Sequence, residues 1–146
     1  MYDEAQEIIE LDENCPEGYY YNAIALFEQG DTDFAIESLK KSISLDLNNA
    51  KLYLKMSEFY QDINDLDSAY MWAQEAANMD ERNYNYRWMC AKIARALNKN
   101  HEALTSYSHC YRFASNDKDL CKDYAEFLIS VGKEEQAKRI LEKAKD

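Results

Sequence analysis

Apolar residues recur along the chain at the three- and four-residue intervals of an amphipathic helix, and they do so in pairs of stripes. The first stripe reads Tyr19, Ala23, Leu26, and again Tyr53, Met56, Ser57, Tyr60; the second reads Ala35, Leu39, Ser42, Ile43, and again Ala69, Ala73, Ala76, Ala77. Between the stripes stand Gly30, Asn64, Asn98 and Gly132, the two residue types that most readily accept a left-handed backbone at a helix C-terminus. The pattern predicts a helix, a tight turn at each of these positions, and a second helix running back, with Asp33 and Asp67 expected as N-caps of the second helices. Asn48, Asn49, Asn83 and Asn116 are expected to break the chain between one hairpin and the next.

The hairpins repeat with a constant period. Residues 16–49, 50–83 and 84–117 align as segments of 34 residues, residues 118–146 form a shortened fourth, and residues 1–15 supply only the second helix of an incomplete leading unit. In that leading unit Ile9, Glu10, Leu11 and Asp12 match Ile43, Ser44, Leu45 and Asp46. Three columns test the alignment where helices must approach closely. They read Ala23, Ser57, Ala91, Ala125; Ala35, Ala69, Ala103, Ala137; and Ser42, Ala76, Cys110, Ala144. Every residue in them is small. A lone hairpin cannot bury its apolar stripes, so neighbouring hairpins must stack, and the expected fold is an all-α solenoid of antiparallel helix hairpins with about nine helices.

Period, small-residue columns and turn segment (Gly30, Asp31, Thr32, Asp33, Phe34, Ala35, Ile36) together resemble the tetratricopeptide repeats over nearly the whole chain. Pentatricopeptide and crooked-neck-type repeats share the same helix-pair logic and are the alternative. The chain departs from the family where it has Leu47, Glu81 and Ser115 in place of the closing proline. The aromatic near the start of the first helix is kept as Tyr19 and Tyr53 but becomes Arg87 and Cys121. The resemblance implies a right-handed superhelix whose first helices line a concave groove for an extended or helical peptide of a protein partner. By the same resemblance the groove residues are Tyr20, Tyr21, Ile24 and Phe27 in the first repeat, Leu54, Lys55 and Glu58 in the second, and Trp88, Met89, Lys92 and Arg95 in the third. Tyr20, Leu54 and Trp88 could equally fill the seams between first helices. The lysine, arginine and asparagine clamp with which some members hold acidic chaperone tails is not matched: neither Tyr20, Ile24, Lys55, Asn85 and Met89 nor, one repeat later, Leu54, Glu58, Met89, Asp119 and Asp123 provide its cations, and the last two would repel such a tail.

Composition narrows the functional classes. The chain carries 28 acidic and 17 basic residues, a net charge of −11, which argues against nucleic acid as a partner, and no uncharged run approaches a membrane span. The charge is uneven: residues 1–83 sum to −14 and residues 84–146 to +3, so a partner is expected to set basic groups against the N-terminal half and acidic ones near Lys92 and Arg95. Only 3 Gly and 1 Pro are present, too few for a sandwich or barrel. Cys15, Cys90, Cys110 and Cys121 lack metal or disulfide spacing and read as reduced, packed thiols in a cytoplasmic protein with no basic leader at its start. His109 beside Cys110 is expected to be a surface imidazole next to a packed thiol rather than a catalytic pair. No catalytic, metal or cofactor site is expected, and the chain is read as a non-enzymatic binding scaffold. Its runner-up role is a structural or oligomerisation segment, or a docking arm, of a longer protein. At the leading half-hairpin Met1, Ala5 and Ile8 are expected to be exposed and to favour a homo-oligomer or an upstream cover, whereas Lys138 and Lys145 on the last second helix are expected to oppose further stacking.

Overall fold

The computed structural model describes residues 1–145, and among them nine helices and no strands. They are α1 (Tyr2–Leu11), α2 (Pro16–Glu28), α3 (Thr32–Leu45), α4 (Ala50–Asp62), α5 (Leu66–Met79), α6 (Tyr84–Ala96), α7 (Asn100–Phe113), α8 (Lys118–Ser130) and α9 (Glu134–Ala144). The first helices α2, α4, α6 and α8 thus begin at 16, 50, 84 and 118. The helices fall into two compact units, Met1–Met79 with α1 to α5 and a second from Asp80 onward with α6 to α9.

All four hairpin turns are built alike. Gly30, Asn64, Asn98 and Gly132 have φ of 90°, 62°, 59° and 80°. The left-handed step lets the next amide reach back five residues: Asp31 to Leu26, Asp65 to Tyr60, Lys99 to Ala94 and Lys133 to Leu128, at 2.8–2.9 Å. The second helices begin two residues earlier than the expected caps at Asp33 and Asp67 required. Asp33 and Asp67 lie inside the first turns of α3 and α5, where they complement the helix dipole, while Asp31 precedes α3 and Asp65 accepts from the backbone and hydroxyl of Ser68. Two of the asparagines expected to break the chain also cap the next helix, Asn49 accepting from Lys51 N–H and Asn83 from Asn85 N–H; Asp117 does the same for α8.

Within each unit the small columns are the places where helices touch. Ala23, Ser57, Ala91, Ala35, Ala69, Ala103, Ser42, Ala76 and Cys110 are fully buried, and Ala125 and Ala137 nearly so. Polar atoms there bond to backbone: Ser42 Oγ donates to Pro16 O at 2.7 Å, and Cys110 Sγ, in the same column two repeats on, donates to Tyr84 O at 3.5 Å. The aromatic column behaves similarly. Tyr19 and Tyr53 hydroxyls donate to Glu13 O and Leu47 O six residues earlier, and Cys121 Sγ donates to Ser115 O at the corresponding place. A thiol therefore keeps the inter-hairpin tether that a tyrosine makes elsewhere.

Helix α1 corrects one expectation. Ala5 is fully buried rather than exposed, because α1 lies on α2 at Gly18, where an added Cβ would come within 2.9 Å of Ile9 Cγ1 and 3.0 Å of Ile8 Cγ2. Later repeats carry Leu52, Tyr86 and Leu120 in that column; here the missing side chain makes room for Ile8 and Ile9. Gln6 Nε2 donates to Asn22 Oδ1, whose Nδ2 donates to Ser38 Oγ, which donates to Tyr19 O, each at 2.9 Å. Met1 remains exposed and Ile8 is half-buried.

Candidate interaction surface

In the first unit α2 and α4 bring Tyr20, Tyr21, Ile24, Phe27, Leu54, Lys55 and Glu58 to the first-helix surface. Phe27 stacks flat on buried Phe59, with centroids 4.2 Å apart and planes 4° from parallel, so its ring belongs to the α2–α4 seam. Tyr20 and Tyr21 meet edge to face at 5.4 Å, and Tyr21 stays 44% exposed. Lys55 Nζ lies 2.7 Å from Glu58. Burial opposes the lysine's charge, but the hydrogen bond and charge of Glu58, with Tyr20 and Asp62 near by, leave its pKa above the ordinary lysine value. A cleft of about 330 Å³ opens at the N-terminal ends of the two helices, lined by Tyr20, Tyr21, Glu17 and Lys51.

The second unit arranges the matching surface differently. Asp123 of α8 accepts three hydrogen bonds: from Trp88 Nε1 at 2.7 Å, from Tyr107 Oη at 2.9 Å and from Arg95 at 3.0 Å. Lys92 Nζ stands 4.8 Å from the Trp88 ring centroid, a cation–π contact. Trp88 and Arg95 therefore already have a partner inside the unit. An acidic ligand group would meet Lys92, which is exposed, while Arg95 is half-buried in an ion pair. Asp123 was legible as a first-helix charge but not as the acceptor of this cluster, and Tyr107 was not singled out at all. The available signal was a carboxylate one repeat downstream of a tryptophan and an arginine two helical turns apart.

The C-terminal part of the chain, residues 85–144, matches the family model described as YpiA-like, C-terminal tetratricopeptide repeats. The TPR repeat-containing protein YpiA of Bacillus subtilis (strain 168) is 26% identical over 147 aligned positions, covering 98% of this chain and 35% of the relative. The fold is a tetratricopeptide-like helical repeat, and residues 85–144 carry the family match. The chain spans about a third of that curated relative's length. Among solved structures, a crystal structure of MamA superposes with a TM-score of 0.84 at 17% identity, covering 98% of this chain and 84% of that one. A MamA structure from Desulfovibrio magneticus RS-1 gives 0.82 at 12% identity over 98% and 81%. At these identities the likeness speaks to fold alone.

Three of the four thiols, Cys90, Cys110 and Cys121, are buried packing groups, while Cys15 is half-exposed. Cys90 and Cys110 are fully buried, and burial pushes them up to about 11 and about 12, so both stay protonated at neutral pH. His109 is not a simple surface imidazole: it is half-buried, with its ring 5.2 Å from that of Phe113. No group of three or more potential metal ligands occurs among the described residues, and no helix there is long and apolar enough to cross a membrane.

Proposed function

We propose that the chain is a protein-interaction scaffold that takes an extended or helical peptide on the first-helix surface of its repeats, and that α2 and α4 provide the anchoring part. The observation that carries this reading is Tyr21: a large aromatic, nearly half exposed, propped edge-on by Tyr20 beside a cleft with Lys51 and Glu17 at its rim. Such an aromatic gives contact area at low entropic cost, and charges around it set register. Lys55 and Glu58 beyond it favour a ligand with alternating charge over a uniformly acidic tail. Trp88, Met89, Lys92 and Arg95 form the corresponding surface of the second unit, with Lys92 as its exposed cation.

Peptides selected from a random library against the full chain should lose at least about tenfold in affinity on Tyr21→Ala, with the unfolding midpoint unchanged. Selected ligands indifferent to Tyr21 and to Lys55→Glu would overturn the reading. A second role, as a docking arm within a larger polypeptide, draws on the chain's match to a third of its relative.

A further inference from the structure

The second helices of the second unit enclose a cleft of about 590 Å³ between α7 and α9. Its base is the buried ring of Tyr124, whose hydroxyl is held by Ser108 Oγ at 3.0 Å and Gln136 Nε2 at 3.4 Å, and Tyr111 adds a second ring 6.0 Å away. Over this base stand Arg139 and Lys143, four residues apart and so on one face of α9. Both are exposed, and neither makes an ion pair among the described residues; only Glu142 brings an opposing charge to the lining.

A cleft at the same repeat position lies in the first unit, about 570 Å³ between α1 and α3. There Phe34, Glu37 and Lys41 occupy the places of Gln136, Arg139 and Lys143, and Asp31 adds a further acid. The charge at the central position is thus reversed from Glu37 to Arg139. In the second repeat, Trp72 stands where Ser38, Ser106 and Ile140 do in the others and packs its ring on Tyr53 at 5.6 Å. Of these two clefts, the one between α7 and α9 sets two cations, neither in an ion pair among the described residues, above an aromatic base.

We propose that the α7–α9 cleft is a second docking site, formed by second helices, for an acidic peptide segment that sets an apolar side chain on Tyr111 and Tyr124. Its carboxylates pair with Arg139 and Lys143. The guanidinium offers two parallel donors to a carboxylate, and the volume fits one side chain with its flanking backbone. In a chain of net charge −11, selection of an acidic segment requires such a local pair of cations rather than the overall field.

The test is a two-dimensional NMR titration of the full chain with a hexapeptide of five glutamates and one phenylalanine, a lysine counterpart, and inorganic phosphate. The acidic peptide should move the amides of Ser108, Tyr111, Gln136 and residues 139–143, weakening several-fold between low and physiological salt, while the lysine peptide leaves them in place. Arg139→Glu with Lys143→Glu should cut that affinity at least tenfold with an unchanged melting curve, and Tyr21→Ala should not alter it, which separates this site from the first-helix surface. Absence of these shifts at millimolar peptide, equal binding by the double variant, or the same response to phosphate alone would overturn the proposal.

Discussion

Two repeats apart, the same three positions are solved by opposite chemistry. Tyr20 and Phe27 on α2 sit with Lys55 on α4; Trp88 and Arg95 on α6 sit with Asp123 on α8. In the first unit the seam between first helices closes by ring stacking of Phe27 on Phe59, which leaves Lys55 to pair with Glu58 on its own helix. In the second unit a carboxylate gathers an indole, a phenol and a guanidinium from three different turns. The stacked seam tolerates changes of angle, though not the loss of a ring, because dispersion and area have no strict direction. The hydrogen-bonded seam is not: removing the acceptor strands three donors at once. One repeat frame can therefore carry a surface whose charges remain available to a ligand and another whose charges are spent on order.

The largest effect expected is on the stacked seam. Phe59→Ala should cost about 3–5 kcal/mol, the range for losing a buried ring and leaving its cavity. Trp72 lies in the first unit and Trp88 in the second, and they are the chain's only tryptophans, so fluorescence of single-tryptophan variants in urea follows each unit separately. A loss below about 1 kcal/mol would mean that the seam relaxes around the gap.

Next comes Asp123→Ala, expected to cost about 2–3 kcal/mol in the second unit through the stranded Trp88, Tyr107 and Arg95 donors. Asp123→Asn keeps an acceptor and should recover about half of that. The matching change Lys55→Ala should cost under about 1 kcal/mol, since its ion pair is partly solvated. Equal losses at the two positions would erase the contrast.

Alkali should sharpen it. Cys90 and Cys110 are raised to about 11 and about 12 in the folded chain, against an ordinary thiol value near 9. A group raised on folding binds its proton longer in the native state, so its stabilisation is complete below about pH 9 and is lost as pH climbs through 11–12. By pH 10 these two thiols together should have cost the second unit about 2–3 kcal/mol relative to pH 8, a contribution absent from the first unit, which contains neither of them. The double variant Cys90→Ala, Cys110→Ala should flatten the slope. A slope unchanged by it would assign the loss to the tyrosines Tyr86, Tyr107 and Tyr111, whose pKa values burial also raises.

What could be read before any coordinates was set by backbone and volume. A left-handed step selects Gly or Asn, hence Gly30, Asn64, Asn98 and Gly132, and a close helix crossing selects Ala or Ser, so turns and small columns stood out in the chain. Cap assignment failed by two residues at Asp33 and Asp67, because a carboxylate serves the first helical turn as well as the cap, and Asp31 and Asp65 were equally eligible by type. Ala5 was misread because its cover depends on the absent side chain of Gly18, a fact about a neighbouring helix. The Asp123 cluster was hidden for a similar reason. Its donors lie 16 to 35 residues from Asp123 and share no short motif with it, and only stacking of α6, α7 and α8 brings their polar ends together.

The smallest effect expected on stability is at Tyr21. Its ring is edge-on to Tyr20 and 44% exposed, so Tyr21→Ala forfeits little buried area and should shift unfolding of the first unit by no more than about 0.5 kcal/mol. Trp88→Phe, at the position matching Tyr20, should cost about 1 kcal/mol because it leaves Asp123 short of a donor. The comparison turns on the opposite ordering in binding. If the first unit keeps its aromatics free for a ligand, Tyr21→Ala should weaken selected peptides at least about tenfold while Trp88→Phe leaves them nearly unchanged. The reverse ordering, measured by fluorescence anisotropy on the same peptides, would make the ordered seam the binding surface and Tyr21 a bystander.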